Sequence, residues 1–234
     1  MTFEEIIKKL EAMKNPRNVE GMARFGIRPK TKVFGVPVPE IRKLAKQIKR
    51  TLEGPTLHQL ALKLFDSGIH EARLLGSMVA DAELLTEWEI NKWVKTFDSW
   101  DIVDQTCMNL FDKSKIAVKK IPEFAKREAE FEKRTAFALM AALAWHDKPS
   151  KDNYFMKFFP LIKKASIDER NFVRKAVNWA LRGIGKRNKN LNKQAIKLSR
   201  ELKKINNKSA KWIANNALTE LTSVVVQKRL CKKL

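Results

Sequence analysis

In a strongly basic chain, the stretch Asp98-Ser99-Trp100-Asp101-Ile102-Val103-Asp104 gathers three carboxylates around an indole. If a helix starts at Trp100, that ring and Asp104 stand one turn apart on the same face, with Asp101 offset to one side. Two readings fit. In one, Ser99 is the N-cap, Asp101 sits at the positive end of the helix and Trp100 joins the core. In the other, a carboxylate faces a cationic group across an aromatic wall. Indole is the strongest cation–π partner, and a partly desolvated carboxylate stabilises positive charge. Asp104 separates the two, because it lies too far into the helix for capping to explain it. An acid on a surface suited to polyanions repels its own ligand, so it needs a structural or a chemical reason.

A second constellation is Arg170–Asn188, RNFVRKAVNWALRGIGKRN. Lys175, Trp179, Arg182 and Lys186 fall at i, i+4, i+7 and i+11, so one helical face carries an aromatic ring flanked by cations, with Arg174 beside them. This is either a buried tryptophan on a helix with a solvated charged side, or an electrostatic groove with a stacking ring for nucleic acid. The net charge favours the second.

Other motifs carry less. Gly183-Ile184-Gly185-Lys186 lacks the earlier glycine and the following Ser/Thr of a phosphate loop, and it lies in a helical pattern. His146-Asp147 reads as a polar helix end, and residues 154–159 as hairpin core. Cys107, Cys231 and three histidines form no ligand cluster, so no metal site is expected. Isolated cysteines fit a reducing cytoplasm.

These residues must be positioned by helices. Eight glycines, one tyrosine and a recurring period of 3.6 argue for an all-α protein. Single helices are expected over residues 3–14, 18–25, 39–51, 56–66, 69–80, 86–97, 100–112, 115–127, 131–145, 153–165, 170–186, 192–204, 209–219 and 224–232. Residues 26–38, with two of the eight prolines, are the least helical segment. The second helix of successive pairs shows a faint repeat: Glu71-Ala72-Arg73, Lys133-Arg134-Thr135-Ala136, Arg174-Lys175-Ala176 and Lys211-Trp212-Ile213-Ala214. Asp101–Cys107 takes the equivalent place with acid in place of base. The spacing, near 30 to 40 residues, suits a HEAT-like α-solenoid of stacked antiparallel helix pairs with a concave basic face. No linker divides the chain, so residues 1–234 read as a single domain.

Lys and Arg number 48 against 26 Asp and Glu, a formal charge of +22 spread along the whole chain. Such a field points to nucleic acid. No apolar stretch of membrane-spanning length is present, and residues 1–20 lack a signal-segment pattern.

Four stretches together resemble the AlkD family of DNA alkylation repair enzymes, glycosylases built from HEAT-like repeats. They are Met22-Ala23-Arg24-Phe25, Ser99–Asp104, Lys133–Ala136 and Val173–Arg187. The resemblance implies a monomeric, cytoplasmic enzyme that removes cationic N3- and N7-alkylated purines from double-stranded DNA without cofactor, metal or base flipping. It makes Asp104 the catalytic aspartate, Trp100, Trp179 and Arg134 its partners in the groove, and Arg182 a contact to the DNA backbone; Lys175, Lys186 and Arg174 on the cationic face, with Phe25, are the further DNA-binding candidates. Two positions depart from the family's best-known members: Phe25 stands for a tyrosine and Ser99 for a tryptophan. A non-catalytic HEAT-like protein that binds nucleic acid is the alternative.

Overall fold

The computed structural model describes residues 1–232, and they are almost wholly helical. Among the described residues the one extended pairing is a parallel bridge between Lys32 and Ile69. The chain forms two compact bundles, Met1–Val118 and the residues from Lys119 onward.

The first bundle contains α1 (Phe3–Ala12), α2 (Pro16–Arg24), α3 (Val38–Ile48), α4 (Gly54–Asp66), α5 (His70–Val79), α6 (Glu87–Thr96) and α7 (Trp100–Asn109). A 3-10 turn (Phe111–Lys113) and α8 (Lys115–Lys119) follow. Thr2 with Glu5 and Thr86 with Glu89 close capping boxes at α1 and α6, and Asn15 caps α2 ahead of Pro16. The centre is α5, buried along its whole length and packed against α1, α3, α4 and α7. A Cβ on its Gly76 would lie 2.7 Å from the Ala61 carbonyl oxygen, so glycine lets α4 and α5 approach this closely. Phe65 of α4 stacks on Trp93 of α6 with ring centroids 3.7 Å apart.

The second bundle contains α9 (Ile121–Phe124), α10 (Glu130–His146), α11 (Asp152–Met156), α12 (Phe159–Ala165), α13 (Asn171–Gly185), α14 (Lys189–Lys204), α15 (Lys208–Leu221) and α16 (Val224–Cys231). The single helices expected over 115–127 and 153–165 are each broken in two. Pro122 and Pro160 sit in the first turns of α9 and α12, where a missing N–H costs nothing. The expected hairpin core is present, with Tyr154, Phe155 and Phe158 meeting edge to face. Gly183 and Gly185 lie inside α13. A Cβ on Gly185 would meet Leu221 at 2.7 Å and Ala195 at 2.9 Å, so this glycine serves packing rather than phosphate binding.

One offset recurs through this bundle. Arg134–Phe172, Asp152–Asn190, Lys163–Glu201, Glu169–Asn207, Asn178–Asn216 and Arg182–Glu220 are all hydrogen-bonded at a separation of 38 residues. Each helix pair thus meets the next through the same register, inside the 30–40 residue spacing suggested by the sequence repeat.

Candidate nucleic-acid interface

The corner that launches α7 is held from beneath by the buried first turn of α5. Arg73 Nη1 donates to Asp98 Oδ1 at 2.8 Å and Nη2 to the Thr96 carbonyl at 2.6 Å. The other Asp98 oxygen accepts from the Lys30 backbone N–H at 2.8 Å. His70 Nε2 lies 2.7 Å from Asp101 Oδ2, and Ser99 Oγ donates to Asp101 Oδ1 at 2.6 Å. Ser99 is the N-cap residue by position, but its side chain makes no capping hydrogen bond to the backbone. Asp101 is therefore the partner of a buried imidazole as well as a first-turn acid. On the far side, Arg42 of α3 reaches Gln105 and Asn109 of α7 at 2.9 and 3.0 Å.

Held this way, α7 carries Trp100 and Asp104 one turn apart, both half-buried. Trp100 is not a core residue. Its Nε1–H donates to the carbonyl of Phe25 at 3.1 Å, and Phe25, the C-cap of α2, is 75% exposed. The first bundle thus places the acid, the indole and an exposed phenyl ring on adjoining elements, α2 and α7.

The non-helical 26–38 segment is pinned by Glu71, which is 1% exposed. Its carboxylate accepts the backbone N–H groups of Gly35 at 2.6 Å, Phe34 at 3.0 Å and Val36 at 3.3 Å. His70 had no assigned role in the sequence reading, Glu71 and Arg73 entered only as part of a repeat, and Asp98 only as a member of the acidic stretch. The available signal was three ionisable residues, His70-Glu71-Ala72-Arg73, opening an apolar helix. Buried charges of that kind must be paired.

Burial pushes the Asp101 carboxyl upward. Hydrogen bonding and charge from His70, with help from Ser99 and the Ile102 N–H, outweigh it and hold the group below its ordinary value. A carboxyl held low stabilises the fold above its unfolded pKa and loses that contribution as pH falls through the folded one. Urea midpoints of the wild type and Asp101→Asn should therefore differ by a constant gap above about pH 5 and converge in stronger acid. A gap that stays constant down to the acid-unfolding limit would show that charge does not hold Asp101.

In the second bundle, α13 presents Lys175 exposed and Trp179 half-buried on one face. Arg182 Nη1 bonds Glu220, and Lys186 Nζ reaches its other oxygen at 2.5 Å. Burial raises the Glu220 carboxyl, but the Lys186 hydrogen bond and the two cationic charges hold it below the usual range. The sequence reading set Arg182 and Lys186 beside Trp179 as DNA-contacting cations; each has a counter-ion supplied from α15, 38 or 34 residues away. Arg174 lies over the Trp212 ring at 4.6 Å. Arg134 is 5% exposed, and its Nη1 donates to the Phe172 carbonyl at 2.5 Å, which ties α10 to the start of α13. Among the described residues no group of His, Cys, Asp and Glu is arranged to hold a metal ion.

Residues 6–221 match the family model described as DNA alkylation repair enzyme. The protein Lin0241 of Listeria innocua is 22% identical over 209 residues, 88% of each chain. Lmo0209 of Listeria monocytogenes is 25% identical over 101 residues, 43% of each chain. A solved structure, described as a new family of proteins related to the HEAT-like repeat DNA glycosylases with affinity for branched DNA structures, superposes with a TM-score of 0.75. It is 18% identical, and the match covers 98% of this chain and 96% of that one. The fold is the HEAT-like repeat helical fold that the period and the pairing of helices predict.

Proposed function

The chain belongs to the DNA alkylation repair enzyme family, and we propose that it is a DNA glycosylase hydrolysing the N-glycosidic bond of cationic N3- and N7-alkylated purines in double-stranded DNA. What carries the reading is Asp104 standing one helical turn beyond the half-exposed Trp100, on a helix anchored by Asp101 and Asp98, in a chain of formal charge +22.

The alkylated purine bears a positive charge, which weakens its bond to C1′. As that bond breaks, its electron pair goes to the base, which departs neutral, and the charge passes to the sugar as an oxocarbenium ion. The Asp104 carboxylate stabilises that cation and orients the water whose oxygen bonds to C1′, the proton leaving through the carboxylate to solvent. Trp100 lays its ring against the deoxyribose, and Phe25 lines the same surface. From the second bundle, Trp179, Lys175, Arg174, Arg182 and Lys186 hold the DNA backbone, with Arg134 positioning α13. The lesion stays in the duplex, unlike the substrate of a flipping glycosylase. The scheme uses no metal or cofactor, and the protein works as a monomer in the cytoplasm, associated with the nucleoid. No helix among the described residues is long and apolar enough to cross a membrane.

Incubation with methylated duplex DNA should release 7-methylguanine or 3-methyladenine, detected by chromatography. Affinity for the duplex should fall linearly with salt on a log–log scale, as phosphate neutralisation requires. The likeness to a protein with affinity for branched DNA favours a second reading, a non-catalytic nucleic-acid-binding module. Tight binding of a four-way junction with no base released from methylated DNA would select it.

A further inference from the structure

We infer that the outer face of α14 is a second DNA-binding surface, which holds a further duplex segment in addition to the one on α13. The helix buries Leu191, Ala195, Leu198 and Leu202 in the bundle, where it packs on α13 and α15. Lys189, Lys193, Lys197, Arg200 and Lys204 recur at steps of four, four, three and four. They therefore form one stripe, on the side turned away from the buried residues. All five are exposed, and the exposed Lys203 stands beside them. A groove of about 280 Å³ between α12 and α14 sets Lys163 on the same surface as Lys197.

Helix stability does not account for this pattern. Cations one turn apart repel each other, and a lysine at a helix N-terminus opposes the helix dipole. Helices α1 and α6 open on glutamates, whereas α14 has no acid in its first turn and places Lys189 there. Its only acid, Glu201, is taken by Lys163 of α12 at 2.7 Å. Among the described residues none of the stripe's cations has an ion-pair partner. On α13, by contrast, Arg182 and Lys186 share Glu220, and Arg174 lies over Trp212. The stripe is charge that the fold leaves unneutralised, and a bound polyanion relieves both the repulsion and the opposed dipole. From Lys189 to Lys204 the helix runs about 22 Å. Duplex DNA carries about a dozen phosphates over that length, enough to meet every cation of the stripe. An anionic membrane fits less well, because the apolar side of α14 is buried and nothing on the stripe inserts among lipids. The choice of DNA as the polyanion rests on the reading that the chain acts on DNA.

Native mass spectrometry of the full chain with a short unmethylated duplex should show one protein with one duplex, then one protein with two as DNA is added. Combining Lys189→Gln, Lys193→Gln, Lys197→Gln and Arg200→Gln should lower the share of doubly loaded protein by about tenfold or more. Base release from methylated DNA should stay unchanged in that variant. Glutamine suits exposed helix positions, and losing like charges leaves the helix no weaker. Lys197→Glu alone should lower double loading several-fold, and it decides the matter should the combined variant not fold. A second duplex never held, double loading unchanged in the folded variants, or base release lost together with it overturns the inference. Binding of phosphatidylserine vesicles in place of the second duplex overturns it too. Base release without double loading removes only the α14 surface, and double loading without release removes only the glycosylase. A chain that binds no duplex at all removes both.

Discussion

Asp104→Asn is expected to lower base release from methylated DNA by about 100-fold or more, with duplex affinity unchanged or raised. The substitution keeps the shape of the side chain and deletes one negative charge. If Asp104 stabilises a sugar cation, the loss falls on the chemical step, where charge develops. If it only shapes α7, an isosteric amide there changes little. The effect on binding has the opposite sign, since a carboxylate facing phosphates opposes the complex and an amide does not. Single-turnover rates at saturating protein separate the two contributions. Turnover within a few-fold of wild type would remove Asp104 from the mechanism, and affinity lost in step with rate would make it a binding residue.

Glu71→Ala should be the most damaging single change to the first bundle. Its carboxylate accepts three buried backbone N–H groups, from Phe34, Gly35 and Val36. Truncation leaves all three without a partner, at about 1–3 kcal/mol each. The sum is a large part of the roughly 5–15 kcal/mol that holds a typical domain together. A fall in Tm of roughly 10 °C or more is expected, or loss of a cooperative transition. Glu71→Gln keeps one carbonyl oxygen in place and should fall between the two. Calorimetry of the three proteins is the measurement, and an alanine variant that melts with the wild type would refute the role given to this carboxylate.

The fold class was legible because period-3.6 patterning and repeated basic–small–apolar segments are local signals, carried by residues such as Lys133–Ala136 and Lys211–Ala214 themselves. Helix breaks at Pro122 and Pro160 were readable in principle from the proline rule and were passed over because apolar residues kept the helical period on both sides. The candidate site was legible only in part. Trp100 and Asp104 lie together in sequence, so their spacing on α7 could be anticipated. The contacts that fix them could not, since His70, Arg73, Lys30 and Phe25 reach this corner across 23 to 75 residues of chain. The pairing of Arg182 and Lys186 with Glu220 was hidden for the same reason. A count of cations along α13 overstates the net positive charge of its face.

The shared 38-residue offset of the second bundle sets what lengths of change it can absorb. Inserting or deleting a single residue within α13 would throw Asn178, Arg182 and the residues after them out of step with their partners on α15 together, much as a slipped zipper loses every later tooth. A gain or loss of one whole 38-residue unit restores the match at each seam. Growth or shrinkage of this part of the molecule is thereby confined to complete repeats, while the short connections between helices remain open to smaller edits.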